Sequence, residues 1–128
     1  MKGLIVLDKK DEVILNEFHC NSKIKGKLLN SEDMKKLGFR ELDDRWFYTK
    51  MLKDEISFDL SIYKDNPTDR VNIEIFDDDF GQYYDYQRIL EECPNHDYAN
   101  QIKDLVEKQM SYFISLGVLN GHKYGEYI

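Results

Sequence analysis

Residues 56–63 alternate strictly between two chemistries. Ile56, Phe58, Leu60 and Ile62 interleave with Ser57, Asp59, Ser61 and Tyr63. A period of two places the aliphatic and phenyl side chains on one face of a sheet and the polar ones on the other. Val71, Ile73 and Ile75 repeat the pattern. Residues 39–42, 45–52, 55–63 and 70–76 are therefore predicted as four short strands. Asp43-Asp44 and Asp65-Asn66-Pro67-Thr68-Asp69 supply turn chemistry between them. Connections this short favour antiparallel neighbours, so the segment predicts a meander with one apolar face. That face requires a cover from elsewhere in the chain.

The covers are legible as helical periodicities. Ser31 is a good N-cap before Glu32 and Asp33, whose charges suit a helix N-terminus, and Gly38 suits its end. A short helix is expected over 32–37. A second is expected over about 85–92, interrupted by Pro94. The longest, 96–116, is expected to be capped by Asn95. Its apolar stripe is Tyr98, Ile102, Leu105, Val106, Met110, Phe113 and Leu116, spaced by threes and fours. Lys103, Asp104, Glu107 and Lys108 are expected to face away. Gly117 ends this helix, and Gly121 and Gly125 punctuate a Tyr-rich tail.

Upstream, the apolar runs 4–7 and 13–18 flank Asp8-Lys9-Lys10-Asp11-Glu12 and predict an N-terminal β-hairpin. Residues 19–30 are expected to be a linker or a poorly specified strand. At 128 residues the chain is expected to form one α+β domain over 1–128, with 1–30 as a hairpin extension and 31–128 as the main body.

The formal net charge is −7, and it is unevenly distributed. Residues 1–30 hold 6 Lys against 4 acids, whereas 31–85 hold 8 bases against 15 acids. The acidity thus belongs to the meander and its loops. Such a surface argues against tracking a phosphate backbone, which needs clustered Lys and Arg. It suits a basic protein partner, as well as plain solubility. Met1-Lys2 is followed by only four apolar residues, so no signal peptide is expected. No apolar run approaches the ~20 residues of a membrane span. Two cysteines without a secretory signal point to a reducing cytoplasm, where a Cys20–Cys93 disulfide is disfavoured.

Several side-chain groups have the donor types that chemistry needs. Asp77, Asp78, Asp79 and Asp85 are ligand types for a hard cation, but their spacing lacks the glycine and terminal glutamate of a twelve-residue calcium loop. His19-Cys20 with Cys93 and His96 offers four zinc-type ligands, but adjacent ligands on a strand point to opposite faces. The plainer reading makes the two thiols small buried or half-buried groups. No nucleophile elbow or glycine-rich phosphate loop is present. No enzymatic activity, cofactor or metal is expected. The remaining candidate is the aromatic run Phe80, Tyr83, Tyr84 and Tyr86 among the acids. Tyrosine combines an apolar ring with a polar tip and is enriched both at binding hot spots and in cores.

Leu37-Gly38-Phe39, Trp46, Ile56-Ser57-Phe58, Tyr84-Asp85-Tyr86-Gln87, Val106–Met110 and Gly121-His122-Lys123-Tyr124-Gly125-Glu126-Tyr127-Ile128 together resemble small uncharacterised proteins of Gram-positive phages and mobile elements. The resemblance covers about the last two-thirds of the chain and contains no catalytic motif. It implies a phage context, in which small acidic proteins often inhibit a host machine; inhibitors of RNA-guided nucleases, the anti-CRISPR proteins, are one such class.

The expected function is therefore that of a non-enzymatic, cytoplasmic inhibitor of a host protein. Asp77, Asp78, Asp79, Phe80, Tyr83, Tyr84, Asp85 and Tyr86 would meet a basic surface that normally handles nucleic acid, such as that of an RNA-guided nuclease. Neither nucleic acid nor a membrane is an expected direct partner. The alternatives are a structural or oligomer-forming phage component, in which 1–30 pairs with another copy, and a small metal protein or enzyme using His19, Cys20, Cys93 and His96.

Overall fold

The alternation in 56–63 becomes the central strand of a five-stranded antiparallel sheet. A computed structural model describes residues 24–121. The sheet has the order β2-β3-β4-β5-β6, formed by Arg40–Glu41, Arg45–Lys53, Ile56–Tyr63, Val71–Asp77 and Gln82–Tyr83. The described helices are α1 (Ser31–Lys36), α2 (Tyr86–Glu92) and α3 (Asp97–Ser115). The mixed α+β architecture and the meander match the expectation. The predicted hairpin over 4–7 and 13–18 lies outside the described residues, as do His19, Cys20 and most of the Tyr-rich tail.

Register sorts the side chains of the sheet into two faces. Trp46 lies opposite Ile62, which lies opposite Val71; Tyr48, Leu60 and Ile73 form the next row. Phe58 and Ile75 pair below them. These residues point to one side and, apart from the half-buried Tyr48, are buried. The helices cover that side: Met34 of α1, Tyr86 and Leu90 of α2, and Ala99, Ile102, Val106, Met110 and Phe113 of α3 join the same core. Phe113 is the centre of an aromatic cluster. Its ring meets Tyr48 edge-on at 4.9 Å, Phe39 at 5.6 Å and Phe58 at 6.3 Å. Burying a ring of this size contributes about 2–3 kcal/mol. The cover expected of the long helix is the cover observed.

Several local expectations are corrected. Ser31 is the first helical residue of α1, and the cap is Asn30, whose side chain accepts from the Asp33 N–H at 2.8 Å. Either residue has a suitable oxygen; only the backbone geometry selects between them. His96, rather than Asn95, caps α3, with its Nδ1 accepting from the Ala99 N–H at 3.1 Å. Glu107 does not face away but is fully buried, and Gln109 is buried as well. Gln109 Oε1 accepts from the Tyr48 hydroxyl at 3.2 Å, tying helix to sheet. Cys93 is exposed, against the expectation of a buried or half-buried thiol.

The sheet also outlasts Phe76. Asp77 still belongs to β5, and the chain turns back to add β6. The run of acids makes that turn: Asp77 Oδ1 accepts from the N–H groups of Asp79 (3.0 Å) and Phe80 (3.3 Å). Gly81 closes it at φ 64°, the left-handed region that glycine enters without steric cost. Residues 24–30 are more ordered than a linker. β1 (Lys25–Gly26) pairs antiparallel with β7 (Leu119–Asn120) in a second, two-stranded sheet. Val118 and Leu119, beyond α3, are core residues. No described helix is long and apolar enough to cross a membrane.

Candidate partner-binding surface

Two tight turns lie side by side at one end of the sheet. The first, between β3 and β4, is Asp54-Glu55, with Asp54 at φ 52°. The second, between β5 and β6, is Asp78–Gly81. They are joined by the backbone: the Asp78 N–H donates to the Glu55 carbonyl at 2.9 Å. Antiparallel pairing of Ile56 with Asp77 fixes this neighbourhood. Asp54, Glu55, Asp77, Asp78 and Asp79 thereby gather at one corner, and none of them is in an ion pair among the described residues. The tip of the second turn is Phe80, which is 77% exposed, against 46% for Met51 and 45% for Tyr112. The corner is thus an apolar ring projecting from a field of carboxylates.

Behind the turns, a cleft of about 580 Å³ runs to the first turn of α3. Its walls include Asp54, Glu55, Asp77, Phe80, Tyr84 and Tyr98. The Tyr84 and Tyr98 rings meet edge-on at 5.8 Å. The Tyr98 hydroxyl donates to Asp54 Oδ2 at 2.8 Å. Partial burial, that hydrogen bond and the nearby carboxylates push the Tyr98 phenol up to about 12. Partial burial and then Asp77 raise Tyr84 in the same direction. Both phenols therefore remain neutral, and the negative charge of the cleft is carboxylate alone.

The structure divides the eight residues expected to form one surface. Asp77, Asp78, Asp79 and Phe80 make the projecting turn, and Tyr84 lines the cleft behind it. Tyr83 lies on the opposite face of the sheet, which none of the described helices covers, packed edge-on against Phe76 at 5.7 Å and donating to Glu74 at 3.2 Å. Asp85 is the N-cap of α2, accepting from the Arg88 N–H at 3.0 Å. Tyr86, the first residue of α2, is buried in the core, so no partner can reach it in the folded chain. The reason is geometric: the chain passes from a strand to a helix within four residues, so successive rings point to different layers. Sequence reasoning missed Asp54, Glu55 and Tyr98. The turn character of 54–55 could have been read from the strands on either side, but its adjacency to 77–81 follows only from register.

Among the described residues no three His, Cys, Asp or Glu side chains stand as a ligand set for a metal. Asp77 is engaged by its own turn, Asp85 by its helix cap, and His96 by the N–H of Ala99. No family model, curated protein or solved structure matches the chain.

Proposed function

We propose that the protein is a non-enzymatic binding module that docks its acidic corner onto a basic surface of another protein and blocks what that surface handles. The observation that carries this reading is Phe80, largely exposed at the tip of a rigid turn and flanked by carboxylates that have no ion-pair partner among the described residues. A ring of this kind supplies contact area at low conformational cost, and the surrounding charges accelerate encounter with a cationic surface. The turn is stiffened by Asp77 and by its hydrogen bond to Glu55, so little ordering remains to be done on binding.

The resemblance to phage proteins and the charge sign together favour a host effector that grips nucleic acid, such as an RNA-guided nuclease. The corner occupies the place of a phosphate backbone: negative, with an aromatic ring beside it. Binding is tested by co-elution of the protein with a purified RNA-guided nuclease, with and without guide RNA. Co-elution that is lost when Asp78 and Asp79 are changed to Lys and Phe80 to Ala supports the reading. Equal co-elution of wild type and variant removes this surface from it.

A further inference from the structure

The three described helices pack on one side of the five-stranded sheet, and none of them covers the other side. Register arranges that second side into rows. One row is Arg45, Tyr63 and Arg70, with both guanidinium groups over the Tyr63 ring at 5.6 and 4.2 Å. The next row is Phe47, Ser61 and Asn72. The third is Thr49, Asp59 and Glu74. The face is thus basic in one row, acidic four residues away along each strand, and neutral between.

The acidic row is unusual in its own right. Asp59 and Glu74 are direct cross-strand partners of like charge, and no basic side chain pairs with either among the described residues. Such a pair is destabilising unless something compensates it. Thr49 donates to Asp59, while the Asn72 amide (3.0 Å) and the Tyr83 hydroxyl (3.2 Å) donate to Glu74. Burial nonetheless raises the Asp59 carboxyl above its usual range, and Glu74 adds to the shift. Two polar atoms on this same face are shielded from water without a hydrogen-bond partner: Asn72 Oδ1 and Arg45 Nε.

We infer that this face pairs with the same face of a second copy, about a two-fold axis lying between the two sheets along the Phe47–Ser61–Asn72 row. Such an axis reverses the strand direction and keeps each strand over its counterpart. Arg70 of one copy then stands over Glu74 of the other, and Tyr63 over Asp59, with Arg45 one strand away. Phe47 meets its own equivalent. The two Asn72 side chains face each other across the axis. The contact is isologous, as a closed dimer requires. Two stacked sheets lie ~10 Å apart, a gap that arginine and tyrosine side chains span. Arg45 and Arg70 already pair with Asp44 and Asp65 at 3.0 and 2.7 Å, but exposed pairs of this kind are worth little and can exchange; a second copy brings the acidic row of each chain over the basic row of the other. The acidic corner lies beyond the third row and overhangs the partner, so dimerisation leaves it free.

The paired strands give a footprint on the order of 400 Å². This is smaller than the ~800 Å² per partner of a standard interface, so dissociation in roughly the micromolar range and strong salt dependence are expected. The test is sedimentation equilibrium on the full chain and on two charge-reversed variants. One carries Arg45→Glu and Arg70→Glu, the other Asp59→Lys and Glu74→Lys. Wild type is expected to approach twice the 15.3 kDa chain mass as concentration rises. Each variant alone is expected to stay at one chain mass to at least tenfold higher concentration, and their equimolar mixture to recover the dimer mass. That recovery requires both variants to be folded, which circular dichroism checks independently. Wild type remaining at one chain mass up to millimolar concentration overturns the inference, whatever the variants do. So does a dimer mass for either variant alone.

Discussion

The Tyr98 hydroxyl donates to Asp54 Oδ2 at 2.8 Å, joining the first turn of α3 to the β3–β4 turn across 44 residues of sequence. Asp54 is also the one described non-glycine residue with positive φ, at 52°. A single aspartate thus turns the chain in a conformation that side chains resist and anchors the helix that covers the core. The hydrogen bond contributes about 1 kcal/mol, and the left-handed backbone costs about 1 kcal/mol. Tyr98→Phe is expected to lower the urea unfolding free energy by about 1 kcal/mol. Asp54→Gly is expected to be near neutral, because relief of the backbone offsets the lost bond, whereas Asp54→Ala loses the bond and keeps the strain. An Asp54→Ala variant as stable as Asp54→Gly would contradict this assignment.

Alkaline titration reads the same bond. Tyr98 and Tyr83 both have phenols raised to about 12 from an ordinary value near 10, by partial burial first and by the carboxylates of Asp54 and Glu74 after it. The folded state therefore holds these protons more tightly than the unfolded chain. Their contribution to stability is complete below about pH 10 and is lost as the pH rises toward 12. Phenolate absorbance at 295 nm is expected to show a late phase that shrinks in Tyr98→Phe and in Tyr83→Phe. An unchanged late phase in both variants would rule out this origin.

Phe113 is fully buried, with its ring against Tyr48, Phe39 and Phe58. Phe113→Ala is expected to cost about 3–5 kcal/mol, the range for truncating a core ring. Denaturant melts followed by the single Trp46 fluorophore check this, since Trp46 sits in the same core.

Two glycines should respond differently to alanine. A Cβ on Gly26 would fall 2.5 Å from the Pro67 carbonyl oxygen and 2.7 Å from Val71 Cγ2, so the backbone of the 65–69 turn must move. A Cβ on Gly81 meets nothing within 4 Å and incurs only the left-handed conformation. Gly81→Ala is expected to cost about 1 kcal/mol and Gly26→Ala about 1–3 kcal/mol. Thermal melts of the two variants rank them directly.

The sheet was legible because its signal is local and one-dimensional. The alternation in 56–63 and 71–75 fixes the inward residues, and the threefold and fourfold spacing of Ile102, Val106, Met110 and Phe113 identifies their cover. What stayed hidden depends on contacts between distant segments. Lys25–Gly26 has too little pattern to read as a strand until Leu119–Asn120 pairs with it. Glu107 looked like a solvent-facing charge because helical spacing ranks hydrophobic residues and is silent on a buried carboxylate. The candidate surface was half legible for the same reason. The acids of 77–79 mark themselves as a turn, but only the register between β4 and β5 brings Asp54 and Glu55 beside them. The tyrosines on either side part company, with Tyr83 on the face opposite the described helices, Tyr84 in the cleft and Tyr86 in the core.

Occlusion is tested most directly by DNA cleavage. A guide-loaded RNA-guided nuclease is titrated with the protein, and cleavage of a matched duplex is followed at physiological salt. Wild type is expected to abolish cleavage at stoichiometric ratios, while the variant with Asp78→Lys, Asp79→Lys and Phe80→Ala leaves it intact and melts as wild type does. Full cleavage at a large excess of folded wild-type protein would contradict the account, as would equal inhibition by wild type and variant.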